Sequence, residues 1–116
     1  MNLHDKDRFA AHLANWQGVE LVEQWENLVA KVGGKIFCLR GESDRSIAFK
    51  VSELAFDGLA ELPGIGQAPY FAKRMWVRVE PGALGDDLLA GYIAQSYKTV
   101  AAGLTKKLRA ELGIAP

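Results

Sequence analysis

The stretch that decides the fold is Lys31-Val32-Gly33-Gly34-Lys35-Ile36-Phe37. Its two glycines separate two apolar runs with strand character, and both can adopt the positive φ angles that a two-residue hairpin turn requires. The stretch therefore predicts a tight β-hairpin with strands over residues 28–32 and 35–40. A phosphate-binding loop does not fit, because the glycines lack the Walker spacing and precede a strand rather than a helix.

The alternation of side chains extends this hairpin into an antiparallel meander. Residues 46–51 place Ile47, Phe49 and Val51 on one side and Lys50 on the other, which predicts a third strand. Residues 19–25 alternate only weakly, so a short strand and an extended connector both stay open. On residues 35–40 the two faces cannot be told apart from the pattern alone.

A further strand is predicted over residues 74–80, after a loop over residues 63–69 that is rich in proline and glycine. Its alternation places Met75, Val77 and Val79 toward the core, against the last helix. The opposite face then carries Trp76 and the basic residues of the strand. The sequence thus predicts a second, basic sheet face with an exposed tryptophan.

Three helical segments complete the pattern. The first begins after the N-cap Asp5, and the second begins after Ser52 and runs to about residue 62 with Leu54 facing inward. The third begins near Asp86, is broken at residue 103, and continues after the cap Thr105. The element order α-β(3)-α-β(2)-α predicts one α+β domain over residues 1–116, with the helices packed on one face of an antiparallel sheet.

Composition restricts the class of protein. The 116 residues are 49% hydrophobic, which is typical of a globular domain. No apolar run is long enough to span a membrane, and the N-terminal residues lack the apolar core of a signal peptide. The single cysteine, Cys38, cannot form an internal disulfide, as expected in a reducing compartment. We therefore expect a cytoplasmic protein that does not bind membranes.

The net charge is zero, but its sign alternates along the chain. Three blocks carry a net charge of −3 each: residues 1–30, 51–72 and 80–97. The three intervening blocks carry +3 each: residues 31–50, 73–79 and 98–116. Because a nucleic-acid-binding protein usually has an excess of basic residues, the distribution of charge matters more here than its sum.

The basic blocks supply the candidate binding residues, which are Lys31, Lys35, Lys50, Lys73, Arg74, Trp76, Arg78, Lys106 and Lys107. Lysine and arginine would neutralise phosphates, and an exposed indole would stack on a base. The alternative is a solvated face whose bases pair with acids of neighbouring elements, with Trp76 packed under the loop of residues 63–69. Lys106 and Lys107 are also explained by the preference of cations for the end of a helix.

No catalytic residue, metal site or cofactor is predicted. Cys38 would need a nearby histidine to act as a nucleophile, and both histidines, His4 and His12, belong to the first helical segment. Two histidines and one cysteine make no recognised metal-ligand set.

Four motifs in order resemble the MmcQ/YjbR family. They are the hairpin over residues 31–38, a Tyr-containing loop followed by Trp76-Val77, the pair Ser96-Tyr97, and the segment over residues 104–109. One departure is Ala72, where relatives often have asparagine before the lysine. The resemblance implies a fold like that of the type III secretion chaperones. It also implies DNA binding through a double-wing arrangement that would use Lys31, Lys35, Lys50, Arg74, Trp76 and Arg78.

The function expected from residues and resemblance together is a non-enzymatic one. The protein would bind DNA, weakly and without sequence specificity, or another anionic ligand through the basic sheet face. The alternative is a protein-interaction module that uses the same face and binds no nucleic acid, as the chaperone-like fold suggests.

Overall fold

A computed structural model of the protein describes residues 2–114. These residues form four helices and six strands, in the order α1 (Lys6–Leu13), β1 (Val19–Gln24), β2 (Asn27–Val32), β3 (Lys35–Gly41), β4 (Ile47–Lys50), α2 (Glu53–Leu59), β5 (Ile65–Gln67), β6 (Trp76–Val79), α3 (Asp86–Ala102) and α4 (Lys106–Leu112).

The six strands form one antiparallel sheet in the order β1-β2-β3-β4-β6-β5. Among the described residues, hydrophobic side chains cluster on both faces of the sheet. The helices pack on one face, where Phe9 of α1, Leu59 of α2 and Ile93 of α3 join the main core. We call that side of the sheet the inner face. The opposite, outer face carries a smaller cluster centred on Ala48, Ala68 and Trp76. The predicted α+β architecture is confirmed.

Residues 19–24, whose weak alternation fitted either a strand or a connector, form the strand β1. Residues 19–24 pair with β2 along their whole length, from Val19 opposite Val32 to Gln24 opposite Asn27. Val19 and Leu21 pack on the main core while Glu20 and Glu23 stay exposed. The meander therefore has four strands rather than three, and β1 is one edge of the sheet.

The glycine pair forms the predicted turn. Gly33 and Gly34 have φ angles of 58° and 81°, and Val32 pairs with Lys35 across them. The tip of this hairpin rests on the junction between α3 and α4, since a Cβ added to Gly33 would lie 2.6 Å from Leu104 Cδ1. The tight turn and the close approach both require glycine at position 33.

A β-bulge explains why residues 35–40 show no clear alternation. The β2–β3 register shifts so that Ala30 faces Cys38 while Lys31 faces Ile36, which leaves Phe37 as the extra residue. Phe37 and Cys38 consequently both belong to the main core, whereas Ile36 and Leu39 border the outer cluster. Ser96 of α3 donates a hydrogen bond of 2.6 Å to the carbonyl oxygen of Phe37.

The strand predicted over residues 74–80 is shorter than expected. Val77 and Val79 are buried in the main core as predicted, but β6 begins only at Trp76. Arg74 has a φ of 62°, in the left-handed region, and Met75 N–H bonds back to the carbonyl of Ala72 in a turn. Met75 is 36% exposed, so the prediction that it is buried was wrong; it lies in the turn that precedes the alternating strand.

Two local predictions between α2 and β6 were also wrong. Leu54 points to solvent rather than to the core, and the buried residue of the short helix α2 is Leu59. Residues 65–67, predicted as loop, form the edge strand β5 against β6. The helix caps and the break between α3 and α4 agree with the prediction: Thr105 accepts a 3.1 Å hydrogen bond from Leu108 N–H.

Candidate binding cleft

Trp76, the centre of the predicted nucleic-acid surface, is buried rather than exposed. Only 7% of it is accessible, and its indole stacks on the ring of Phe71, with ring centroids 4.2 Å apart. The segment after β5 curls over the outer face and places Ala68 and Phe71 on the indole. The prediction of an exposed Trp76 is wrong because this loop covers the face, as the alternative interpretation required.

Arg74 does not point from the sheet either. Its guanidinium binds Glu53 at 2.9 Å and Asp57 at 2.8 Å, both on α2. The two carboxylates raise the pKa of Arg74, and the largest cause is the hydrogen bond that its guanidinium donates to Asp57. Arg74 therefore connects α2 to the turn before β6, and its charge is already compensated.

Arg78 is on the outer face and is likewise paired. Its guanidinium lies 2.6 Å from the carboxylate of Asp44 and 3.7 Å from that of Glu80. The hydrogen bond from Arg78 is the main cause that lowers the pKa of Asp44 to about 2, and hydrogen bonds from Ser46 add to it. Both arginines of residues 73–79 thus pair with acids of neighbouring elements, as the alternative interpretation expected, whereas Lys73 forms no ion pair within residues 2–114.

The candidate lysines divide into two groups. Lys31 and Lys35 lie on the two strands of the hairpin, whose tip at Gly33 packs on Leu104 and Leu108, close in sequence to Lys106 and Lys107. Lys50 ends β4 and Lys73 lies in the exposed loop before β6. Within residues 2–114 none of these six lysines takes part in an ion pair. Within these residues, no carboxylate therefore offsets the charge of any of the six lysines.

A different site opens on the outer face. A cleft of about 580 Å³ has an apolar floor formed by Ile36, Leu39 and Ala48, on strands β3 and β4. The β1–β2 turn bounds it on the β2 side, and the loop of residues 68–71 bounds it on the β6 side. We call this the outer-face cleft. Its volume is in the range of small-molecule sites.

Two aromatic side chains project from the walls of the outer-face cleft. Trp25 is 73% exposed and Tyr70 is fully exposed, although neighbouring aromatic residues are buried or half-buried. Both have left-handed backbone, with φ angles of 52° at Trp25 and 70° at Tyr70. Such a conformation costs a non-glycine residue about 1–2 kcal/mol, and strained residues cluster at functional sites.

A second cleft, of about 620 Å³, adjoins the first and shares Trp25 and Asn27 with it. Its charged side chains are those of Lys6, Glu23, Glu26 and Glu42. Lys6 Nζ lies 2.6 Å from Glu23 Oε1 and 3.4 Å from Glu42 Oε2. The hydrogen bond that Lys6 donates to Glu23 lowers the pKa of that carboxylate. We call this the acidic cleft.

The described residues place neither a group of metal ligands nor the cysteine thiol in these clefts. No group of three or more histidine, cysteine or carboxylate side chains is placed to hold a metal ion within residues 2–114. Cys38 is fully buried, and burial raises the pKa of its thiol well above the ordinary value, which disfavours the reactive thiolate. In the same residues no helix is long and apolar enough to cross a bilayer.

Sequence reasoning missed both projecting aromatics. Trp25 and Glu26 form the complete two-residue turn between β1 and β2, with φ angles of 52° and 59°. Such turns favour asparagine and glycine, so a Trp-Glu pair is not recognisable as a turn. The sequence therefore carried no signal for this turn, and only the β1–β2 pairing shows it.

Comparisons with known proteins agree with this architecture. No curated protein sequence matches the chain significantly. The crystal structure of a Deinococcus radiodurans protein with the domain DUF419 is similar with a TM-score of 0.84 and 24% identity, over 94% of this chain and 88% of that one. A Pseudomonas syringae protein is similar with a TM-score of 0.68 and 18% identity, over 82% of this chain and 97% of that one. The family model YjbR matches residues 14–99, most of the chain, and the protein described here therefore belongs to the YjbR family.

Proposed function

We propose that the protein is a non-enzymatic binding module that docks a segment of a protein partner in the outer-face cleft. The observation that carries the proposal is the pair of exposed aromatic residues, Trp25 and Tyr70, held on left-handed backbone on opposite sides of an apolar floor. Within residues 2–114, neither ring stacks on another aromatic ring and neither belongs to a hydrophobic cluster. A partner that covers both supplies a reason for that arrangement.

The energetics favour such a partner. Aromatic residues dominate the binding energy of protein interfaces, since their large apolar area leaves water while few rotatable bonds are frozen. The floor beneath them, with Ile36 and Leu39 half-buried, offers further apolar area. An extended segment that spans the two walls would bury both rings and the floor together.

The same surface is poorly suited to nucleic acid. Phosphates would have to compete with Asp44 and Glu80 for Arg78, and Trp76 has no free ring face to offer a base. The carboxylates that line the outer-face and acidic clefts would repel a polyanion. The paired charge of Arg78, the burial of Trp76 and the apolar cleft therefore favour a protein partner over nucleic acid at the outer face.

Selection from a phage-displayed library of random dodecapeptides tests the proposal. Peptides enriched on the protein should bind it saturably, and the double variant Trp25→Ala/Tyr70→Ala should weaken them at least tenfold. Leu54→Ala is the matched control, because it removes an equally exposed apolar side chain from α2, outside the cleft. The proposal fails if no peptide is enriched, or if enriched peptides bind the double variant as tightly as the wild type.

A second candidate function is weak binding of a nucleic-acid backbone at the hairpin end. The observation that favours it is the group of exposed or half-buried lysines without ion-pair partners, Lys31, Lys35, Lys106 and Lys107. Each phosphate contact releases counterions, so Lys35→Ala/Lys107→Ala should reduce the salt dependence of DNA affinity by about two units of slope. Lys73→Ala, an exposed lysine away from the hairpin, should leave the slope unchanged. Undetectable DNA binding at low salt would eliminate this candidate.

A further inference from the structure

The partner segment can be specified further, on the premise that the outer-face cleft is a docking site. We infer that this segment is cationic as well as apolar: an apolar stretch fills the outer-face cleft, and an adjoining arginine or lysine reaches past Trp25 into the acidic cleft. This inference rests on the proposed function and adds the chemistry of the partner. It is carried by the continuity of the two clefts and by their charge.

The two clefts form one continuous surface. Trp25 and Asn27 line both of them, so a chain leaving the apolar floor at the β1–β2 turn enters the acidic cleft directly. The combined site has an apolar half over strands β3 and β4 and a charged half between that turn and Lys6 of α1. A ligand that uses both halves must itself change from apolar to polar along its length.

The charge of the site selects a cation. Four carboxylates, those of Glu23, Glu26, Glu42 and Asp44, line the two clefts against two cationic side chains, Lys6 and Arg78. Lys6 is held by Glu23 and Glu42, and Arg78 is held by Asp44. Within residues 2–114, Glu26 has no ion-pair partner. A guanidinium or ammonium of the partner would supply the missing charge.

Trp25 provides a second reason for a cation at the junction. Trp25 is 73% exposed at the point where the apolar half meets the carboxylates of Glu23 and Glu26. A cation over an indole face is attracted by the ring quadrupole, and arginine makes such contacts more often than lysine. One arginine side chain could therefore lie on Trp25 and reach the carboxylate of Glu26 with its guanidinium.

Three fluorescein-labelled decapeptides test the inference. They share a central Leu-Phe-Leu and differ in their flanking residues, which are arginine, glutamine or glutamate. Fluorescence anisotropy at low salt should rank them in that order of affinity. The arginine peptide should bind at least tenfold more tightly than the glutamine peptide, and the difference should shrink as salt screens the charges.

A charge-neutralising variant localises the effect. Glu26→Gln/Glu42→Gln should weaken the arginine peptide at least fivefold and leave the glutamine peptide unchanged. Glu61→Gln is the matched control, because Glu61 is an exposed carboxylate outside both clefts. Trp25→Ala should weaken both peptides, since it removes the wall that the two clefts share.

The outcomes separate the two proposals. If the glutamine peptide binds as tightly as the arginine peptide, and Trp25→Ala/Tyr70→Ala weakens both, the cationic partner is overturned while the docking function stands. A glutamate peptide that binds most tightly, or an arginine peptide indifferent to Glu26→Gln/Glu42→Gln, overturns the cationic partner as well. If the double aromatic variant weakens none of the three peptides, the docking function and the cationic partner both fail.

Discussion

The indole of Trp76 and the ring of Phe71 stack face to face, with centroids 4.2 Å apart and planes inclined by 25°. Trp76 begins β6, whereas Phe71 belongs to the loop that follows β5. The stack therefore fastens this loop to the outer face of the sheet. Because the same loop carries Tyr70, the contact also positions one wall of the outer-face cleft.

We expect Trp76→Ala to be strongly destabilising. Truncation of a buried aromatic residue usually costs about 3–5 kcal/mol, since burial is lost and a cavity remains. Trp25→Ala is the matched substitution at an exposed tryptophan and should change the free energy of unfolding by about 0.5 kcal/mol or less. Urea denaturation of both variants measures the difference. Equal costs would contradict the burial of Trp76.

Replacing Trp25-Glu26 with Asn-Gly should stabilise the protein while abolishing peptide docking. Both positions have positive φ, where asparagine and glycine are favoured, so the free energy of unfolding should rise by about 1 kcal/mol. The measurements are urea denaturation and anisotropy with the selected peptides. A stabilised variant that still docks them at full affinity would show that Trp25 is not part of the binding surface.

The two glycines of the β2–β3 turn should differ in their tolerance of alanine. Both have positive φ, so Gly34→Ala should cost about 1–2 kcal/mol through backbone strain alone. Gly33→Ala should cost more, because its Cβ would meet Leu104 Cδ1 at 2.6 Å, whereas the Cβ at position 34 meets no atom within 4 Å. Denaturation midpoints of the two variants give the order. The reverse order would argue against the packing of the hairpin on α3 and α4.

Ser96→Ala should destabilise the protein by about 1–3 kcal/mol, because it leaves buried backbone groups without partners. The hydroxyl of Ser96 donates to the carbonyl of Phe37 at 2.6 Å and accepts from Lys50 N–H at 3.0 Å. Thr99→Ala is the control, since the exposed Thr99 hydroxyl bonds only within its own helix. A neutral Ser96→Ala would mean that the bulge at Phe37 needs no bond from α3.

Acid should weaken the protein partly through Asp44. The folded pKa of about 2 is below the ordinary value of 3.8, so this carboxylate contributes stability that is present above pH 4 and is lost as the pH falls toward 2. Asp44→Asn should be less stable at neutral pH and should show a weaker pH dependence between pH 4 and 2. Arg78→Ala should flatten the same window. Urea midpoints measured from pH 2 to 5 provide the comparison, and parallel profiles would contradict the pairing.

The sequence by itself determined the features that depend on neighbouring residues. The turn at Gly33-Gly34 requires only two residues that accept positive φ. The helix starts after Asp5, Ser52 and Thr105 require only a side-chain oxygen three residues before an N–H. These interactions close within a few residues of chain, so they can be read from order and residue type. The α+β class follows from them because it depends on the succession of such elements.

The tertiary structure alone decided where the alternation fails, which outer-face side chains are covered and which charges are paired. The bulge at Phe37 and the turn at Arg74 change the alternation of two strands, and Trp76 is buried because a loop from beyond β5 covers it. Arg78 meets Asp44 although 34 positions separate them. Contacts of this kind depend on segments that are distant in sequence, and no local pattern encodes which of them will meet. The candidate site, built by the β1–β2 turn and the loop after β5, is for that reason a product of the fold.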